Sequence, residues 1–315
     1  MSDPRRAAGA SSEPPTSAVS LDGLRRSFGA LVAVESLTLE VAEGELFGIV
    51  GPDGAGKTTV LRMLSGVLRP TAGEVRVRGV DVGRHPEAAK PHLAYMPQRF
   101  GLYEDLTVRE NLEFYADLYR VPKADRPGRL ERLYAFSGLG EFERRLAGKL
   151  SGGMKQKLSL SCCLIHKPSV LLLDEPTFGV DPISRRDLWL ILHGMVAEGV
   201  TAVVSTSYLD EAERCDRVAL LHQGRLLALD APAALQDGLR GVLVSLRTPE
   251  PRRARDLLRG APGVMGASLF GEEVHALVSA PEDATGALAR AGVEVLDVQA
   301  VAPSLEDVFI HLVGA

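Results

Sequence analysis

The stretch Gly51-Pro52-Asp53-Gly54-Ala55-Gly56-Lys57-Thr58-Thr59 constrains this chain more than any other, because it fits G-x-x-x-x-G-K-[ST] and lies between a strand pattern and a helix pattern. Upstream, Glu45-Leu46-Phe47-Gly48-Ile49-Val50 is a short apolar run suited to a buried strand; downstream, Val60, Leu61, Leu64 and Leu68 recur at helical spacing. Strand, glycine-rich turn and helix in that order predict a phosphate-binding loop running from Gly51 through Pro52, Asp53, Gly54, Ala55 and Gly56. Without a Cβ at its three glycines the backbone turns tightly and aims successive N–H groups at phosphate oxygens. Lys57 adds a positive charge for β- and γ-phosphates, the Thr58 hydroxyl is placed to ligate Mg²⁺, and the helix N-terminus favours an anion. Thr59 is expected to help cap that helix.

At 315 residues the chain exceeds a typical single core, which predicts one large domain and a smaller one. Hydrophobic residues make up 45%, charged residues 24%, and the net charge is −5, so nothing in the charge calls for nucleic acid as a partner. No apolar run approaches the roughly 18–20 residues that cross a bilayer, and the start lacks the apolar core of a signal peptide, so a cytosolic chain is expected. Cys162, Cys163 and Cys215 have neither metal-ligand spacing nor an even disulfide count, and reduced thiols are expected.

Residues 1–17 combine Pro, Ser, Ala and charge without an apolar period, predicting a disordered tail. Strands joined by turns follow, with Phe28 in a turn-like segment at residues 26–29. Past the loop and its helix, Glu74-Val75-Arg76-Val77-Arg78 alternates as a half-buried, antiparallel strand should, and residues 93–98 read as a strand with Gln98 at its exit. Thr107 with Glu110 is a capping box opening a helical region over about residues 100–165; within it Leu150-Ser151-Gly152-Gly153-Met154-Lys155-Gln156-Lys157 is a capped helix start and a second candidate anion site. Ser169-Val170-Leu171-Leu172-Leu173-Asp174-Glu175-Pro176 reads as a buried parallel strand that delivers two carboxylates at its C-terminal edge. Phosphoryl transfer needs such a pair: Asp174 to hold Mg²⁺, through water, and Glu175 to orient or deprotonate the attacking water. A strand over residues 201–206 runs into Ser207-Tyr208 and a helix from Leu209, and residues 218–229 form a closing hairpin. From residue 242, strand, helix, strand, helix and a strand at residues 293–296 alternate, closing with a helix from Ser304.

With residues 51–58, Gln98, residues 150–157 and residues 170–175 in this order, the chain from about residue 18 to 241 resembles an ATP-binding cassette (ABC) ATPase. A P-loop alone also admits kinases and GTPases, whereas LSGGMKQK ahead of LLLDEP is essentially confined to this family. The resemblance implies an α/β fold: a P-loop NTPase-type sheet with an antiparallel β subdomain and a helical subdomain; the alternation beyond it predicts a small C-terminal α+β domain over residues 242–315. The resemblance implies ATP and Mg²⁺ as cofactors. Phe28 matches the aromatic that stacks on adenine, and Gln98 the residue linking Mg²⁺ to the transporter contact. Ser151, Gly152 and Gly153 match the signature that closes on ATP held by an opposing cassette, and Asp181 the aspartate that communicates across the dimer. The segment EAERCDRV and the tail Pro303-Ser304-Leu305-Glu306-Asp307-Val308-Phe309 are similar to bacterial export cassettes for drugs and like compounds.

One position departs from the pattern. Families of this type read S-T-H after the last core strand, whereas this chain reads Ser205-Thr206-Ser207, so Ser207 stands where the switch histidine contacts the γ-phosphate. The resemblance as a whole implies the ATP-hydrolysing subunit of a membrane exporter. Such a subunit pairs with a second cassette, powers separate transmembrane permease subunits, sits peripherally on the inner face of the cell membrane and does not bind nucleic acid. Two alternatives stay open: a hydrolysis-impaired regulatory cassette paired with an active one, which Ser207 keeps in play, and a soluble ABC ATPase outside transport. The translation and DNA-maintenance types of the latter carry two cassettes in one chain or a long coiled coil, and neither feature is present in this sequence.

Overall fold

The computed structural model describes residues 17–99 and 101–314. The tail expected over residues 1–17 lies outside the described residues except for Ser17, which opens the first strand. β1 (Ser17–Phe28) and β2 (Leu31–Ala42) form an antiparallel hairpin, so Phe28 ends a strand rather than sitting within a turn. β3 (Leu46–Val50) is buried along its whole length and leads through the glycine-rich loop into α1 (Lys57–Leu64). β4 (Ala72–Val77) pairs antiparallel with β1, and β5 (Val80–Asp81) with β4, completing a four-stranded sheet in the order β2-β1-β4-β5.

After α2 (Pro86–Ala89) and β6 (Leu93–Met96), the chain enters a helical region of α3 (Val108–Leu118), α4 (Arg126–Ser137) and α5 (Gly152–Leu164). Thr107 caps α3 as its spacing predicts: its hydroxyl accepts from Glu110 N at 3.1 Å while the Glu110 carboxylate accepts from Thr107 N at 2.8 Å. These helices enclose their own apolar cluster, to which Leu112, Leu133 and Leu158 belong.

β7 (Val170–Asp174), α6 (Pro182–Ala197), β8 (Thr201–Thr206), α7 (Leu209–Ala212), β9 (Arg217–His222) and β10 (Arg225–Asp230) complete a six-stranded sheet in the order β10-β9-β3-β8-β7-β6. It is parallel throughout except at the β10 edge. Helices and the other sheet cover both faces, so alternate residues of one strand enter different apolar clusters: Val170 and Leu172 of β7 face one, Leu171 and Leu173 the other. That two-sided burial is why β7 reads as an unbroken apolar run.

Beyond α8 (Pro232–Asp237), β11 (Val242–Arg247), α9 (Pro251–Leu258), β12 (Val264–Phe270), β13 (Glu273–Val278), α10 (Pro281–Arg290) and β14 (Asp297–Ala300) form an antiparallel sheet in the order β12-β13-β11-β14 with two helices. The strand expected at residues 293–296 starts at Asp297 instead, and Val293 is packed into the apolar cluster beneath the sheet. β12 has no strand signal in the sequence, since Gly266, Ala267 and Ser268 interrupt its pattern; pairing with β13 makes it a strand.

The last helix, α11 (Leu305–Gly314), places Leu305 and Val308 in a cluster of the six-stranded sheet, with Phe309 and Leu312 against it. All three cysteines are buried and free, and burial pushes the Cys215 thiol up to about 12. Because Leu305 is fully buried, Leu305→Ala is expected to lower the unfolding free energy by about 2–5 kcal/mol. An unchanged denaturant midpoint would show that α11 adds nothing to the larger core.

Candidate functional site

Parallel pairing sets three strand ends side by side. β8 lies between β3 and β7, with Val50 opposite Thr206 and Asp174 opposite Ser205. The glycine-rich loop, the acidic pair and the segment from Ser207 therefore converge on one edge of the sheet, where open α/β sheets bind ligands.

Two glycines of the loop admit no other residue without displacement. A Cβ on Gly51 would stand 2.2 Å from the Leu221 carbonyl oxygen; one on Gly56, whose φ is 106°, would stand 2.6 Å from that of Ala33. Gly56 caps α1 without any side-chain hydrogen bond, so Thr59 does not cap the helix as expected; it sits in the first turn and lines the cleft.

Lys57 is 4% exposed, and a buried ammonium needs partners. It donates to the carbonyls of Gly51 at 2.7 Å and Pro52 at 3.2 Å and lies 3.1 Å from Glu175 Oε1. Asp174 is 1% exposed and answers its burial with three hydroxyl donors. Thr58 Oγ1 at 3.0 Å and Ser205 Oγ at 2.8 Å donate to Oδ1, and the Tyr95 hydroxyl donates to Oδ2 at 3.3 Å. Burial first, then the Asp174 charge, pushes Tyr95 up to about 12, so its proton stays on at neutral pH.

Glu175 is held on both oxygens: Gln98 Nε2 donates to Oε2 at 2.9 Å, and Ser207 Oγ donates to Oε1 at 3.3 Å. Its backbone has φ 48°, the left-handed region, and is tied there by its N–H to Ser205 O at 3.1 Å and Ser205 Oγ at 3.0 Å. Such a conformation costs a non-glycine residue about 1–3 kcal/mol and turns the carboxylate back toward the loop. Around these groups lies a cleft of about 330 Å³ lined by Phe28, Leu31, Ala33, residues 53–59, Gln98 and Glu175. Phe28 is 46% exposed, and the Arg26 guanidinium lies 4.4 Å from its ring centroid.

Ser151, Gly152, Gly153 and Asp181 form a separate group outside that lining. Ser151 caps α5, accepting from Met154 N at 3.3 Å, and Asp181 caps α6, accepting from Ser184 N at 3.0 Å and Ile183 N at 3.1 Å. Those bonds, the Ser184 ones foremost, hold the Asp181 carboxyl below its ordinary range. A Cβ on Gly153 would stand 2.2 Å from Ser184 Oγ, so the glycine lets the start of α5 lie against the first turn of α6.

Behind Ser207 a buried network fixes its loop. The Glu211 carboxylate, 1% exposed, accepts from the hydroxyls of Thr177 at 2.8 Å and Thr206 at 2.9 Å and lies 3.3 Å from Arg185, which also stacks over Tyr208. Sequence reasoning gave no site role to Ser205, Tyr95 or Glu211. The available signals are a hydroxyl at the end of the strand beside the acidic pair, and an aromatic three residues before Gln98. Glu211 opens the segment EAERCDRV, but nothing in its spacing points to Thr177 or Thr206.

The ABC transporter family model matches residues 34–178. The chain is 44% identical over 303 residues to the probable multidrug ABC transporter ATP-binding protein YbhF of Escherichia coli, covering 94% of this chain and 52% of that one, so it spans about half the length of that relative. It is 37% identical over 300 residues to the Nod factor export ATP-binding protein I of a Rhizobium species, covering 94% of this chain and 97% of that one. It is also 37% identical over 311 residues to the daunorubicin resistance ATP-binding protein DrrA2 of Streptomyces coeruleorubidus, covering 94% and 95%. Among solved structures, an ATP-binding subunit of an ABC transporter aligns with a TM-score of 0.64 at 31% identity over 71% of this chain and 94% of that one. A dimeric ATP-binding cassette in a post-hydrolysis state, bound to ADP and Pi, aligns with a TM-score of 0.61 at 25% identity over 68% and 98%.

Ser205 serves both carboxylate-bearing residues from full burial, whereas Ser207 is half-buried. Ser205→Ala is therefore expected to lower stability by about 1–3 kcal/mol and Ser207→Ala by less. Equal thermal shifts for the two variants would contradict this ranking.

Proposed function

The chain belongs to the ABC transporter family, as one of its ATP-binding proteins, and on that premise we propose that it works as the ATP-hydrolysing subunit of a membrane exporter of drugs or similar compounds. The observation that carries this reading is the meeting of Lys57, Gln98, Glu175 and Ser207 within hydrogen-bond reach at one cleft. The loop N–H groups and Lys57 hold the β- and γ-phosphates, and Phe28 offers a ring face for adenine. Thr58, in the first turn of α1, and Asp174, at the end of β7, supply hard oxygens 3.0 Å apart, a donor set suited to Mg²⁺, with Gln98 lining the same cleft. Held by these residues, Mg²⁺ would supply charge neutralisation to the phosphates. Glu175, aimed by its left-handed backbone and by Gln98, orients or deprotonates the attacking water.

Ser151, Gly152, Gly153 and Asp181 serve a second cassette in this proposal, since they lie outside the lining of the chain's own cleft. Among the described residues no helix is long and apolar enough to cross a membrane. We assign translocation to separate permease subunits and place this chain on the inner face of the membrane through them. The name of the Nod factor relative supports export as the direction.

A second reading is favoured by Ser207. Its neutral hydroxyl is shorter than an imidazole and already donates to Glu175, so binding would persist while hydrolysis at this site is slow. One preorganised group is commonly worth about 10²–10³ in rate.

Lys57→Ala is expected to weaken ATP binding measured by calorimetry, and Glu175→Gln to keep binding while abolishing turnover; equal affinity of wild type and Lys57→Ala would overturn the site assignment. Ser207→His is expected to raise the turnover of the purified chain if the site is impaired. Wild-type turnover of about ten per second, the usual range for enzymes, unchanged by Ser207→His, would leave only the first reading.

A further inference from the structure

A cavity larger than the P-loop cleft lies between α11 and the β11–β14 sheet, about 450 Å³ against about 330 Å³. Its walls are apolar, with Leu243, Val264, Leu277 and Ile310 contributing, and its size falls within the roughly 300–1,000 Å³ that holds drug-sized molecules. Arg259, His275, Asp307 and His311 bring polar groups to it. The carboxylate among them is already engaged: Asp307 Oδ1 lies 2.7 Å from His275 Nδ1, and Oδ2 accepts from Ser304 N at 2.9 Å and Ser304 Oγ at 2.6 Å. Arg259 is fixed against β12 by a bond from Nε to the Ala267 carbonyl at 3.0 Å, and among the described residues no carboxylate pairs with it. What faces the cavity is thus an apolar surface with one guanidinium at its solvent-exposed rim, held by Nε to β12 and with its other N–H groups free to meet an anion.

The wall formed by α11 has two faces. Leu305 and Val308 enter a core cluster of the six-stranded sheet, while Asp307, Ile310 and His311 line the cavity. Glu213 also accepts from the α11 backbone, at Leu305 N, over 3.4 Å. A molecule seated in the cavity would rest on the element that anchors the C-terminal sheet to the P-loop sheet.

We infer that this cavity is a binding site for a small organic acid, an apolar body bearing a single carboxylate or sulfonate that pairs with Arg259. A cation would meet Arg259 and find Asp307 already satisfied. A nucleoside triphosphate needs several donors for its phosphates, and this lining offers one guanidinium.

The test uses 2-naphthoate as probe and 2-naphthylmethylamine as its cationic counterpart, titrated calorimetrically into the full chain. The site predicts saturable binding of one naphthoate per chain, no displacement by Mg²⁺-ATP, and affinity for the amine lower by about tenfold or more, the scale of one charge-assisted hydrogen bond. Hydrogen exchange should slow in β12 and α11 on adding naphthoate. Gly266 lines the cavity, and a Cβ built on it would point toward His311 Nδ1 at 3.9 Å without a clash, so Gly266→Leu should fill the space and abolish binding. Arg259→Gln should weaken binding by about tenfold while leaving ATP affinity unchanged, and it decides the matter alone if Gly266→Leu does not fold. Absence of saturable binding, equal affinity for the amine, displacement by ATP, or full affinity in the folded variants would each overturn the proposal.

Discussion

The placement of β8 between β3 and β7 in parallel register is what the rest of the site depends on. The ends of the three strands hold one another's side chains in place. Val50 opens into the loop that holds Lys57, Asp174 needs the hydroxyl of Ser205, and Glu175 needs that same residue to fix its backbone. A one-residue slip of β8 would turn Ser205 to the opposite face of the sheet and put an apolar side chain against two buried acids. The strand's complete burial excludes that slip, because its alternate residues are committed to clusters on both faces.

Around that frame the protein concentrates costs that an ordinary core avoids. Lys57 and Glu175 form a buried ion pair, Asp174 a buried carboxylate, and Glu175 a left-handed backbone. Desolvation of such groups is only partly offset by their mutual attraction, so their value lies in geometry rather than in net stability. The hydroxyls of Thr58, Tyr95 and Ser205 satisfy both oxygens of Asp174 beside the glycine-rich loop. Behind them Glu211 ties Thr177, just past the acidic pair, to Thr206, just before Ser207, so the segments that follow β7 and β8 share one buried partner.

The C-terminal part obeys a different logic. Its sheet is antiparallel, covers its apolar cluster with α9 and α10, and could be read as a unit with its own core. The helix that follows nevertheless buries its apolar face in the larger sheet and turns Asp307 back to His275 of the smaller one. One element thus carries contacts into both parts.

Local physics made much of this legible from the chain itself. The P-loop, the capped starts of α3 and α5, and the buried run ending in Asp174-Glu175 depend on spacings of a few residues, which the sequence displays directly. Thr59, β12 and β14 were misjudged where local signals were weak: Gly56 caps α1 by conformation rather than by a side chain, and pairing with β13 and β11 determines strands whose own residues do not. The roles of Ser205, Tyr95 and Glu211 as partners of the acidic residues were invisible for a further reason. Each acts on a residue from another strand or loop, and no spacing along the chain encodes strand order. The sequence by itself determined that this protein carries a phosphate-binding loop and a pair of acids to go with it. Only the tertiary structure decided which hydroxyls and amides hold those acids, because that depends on which strand lies beside which.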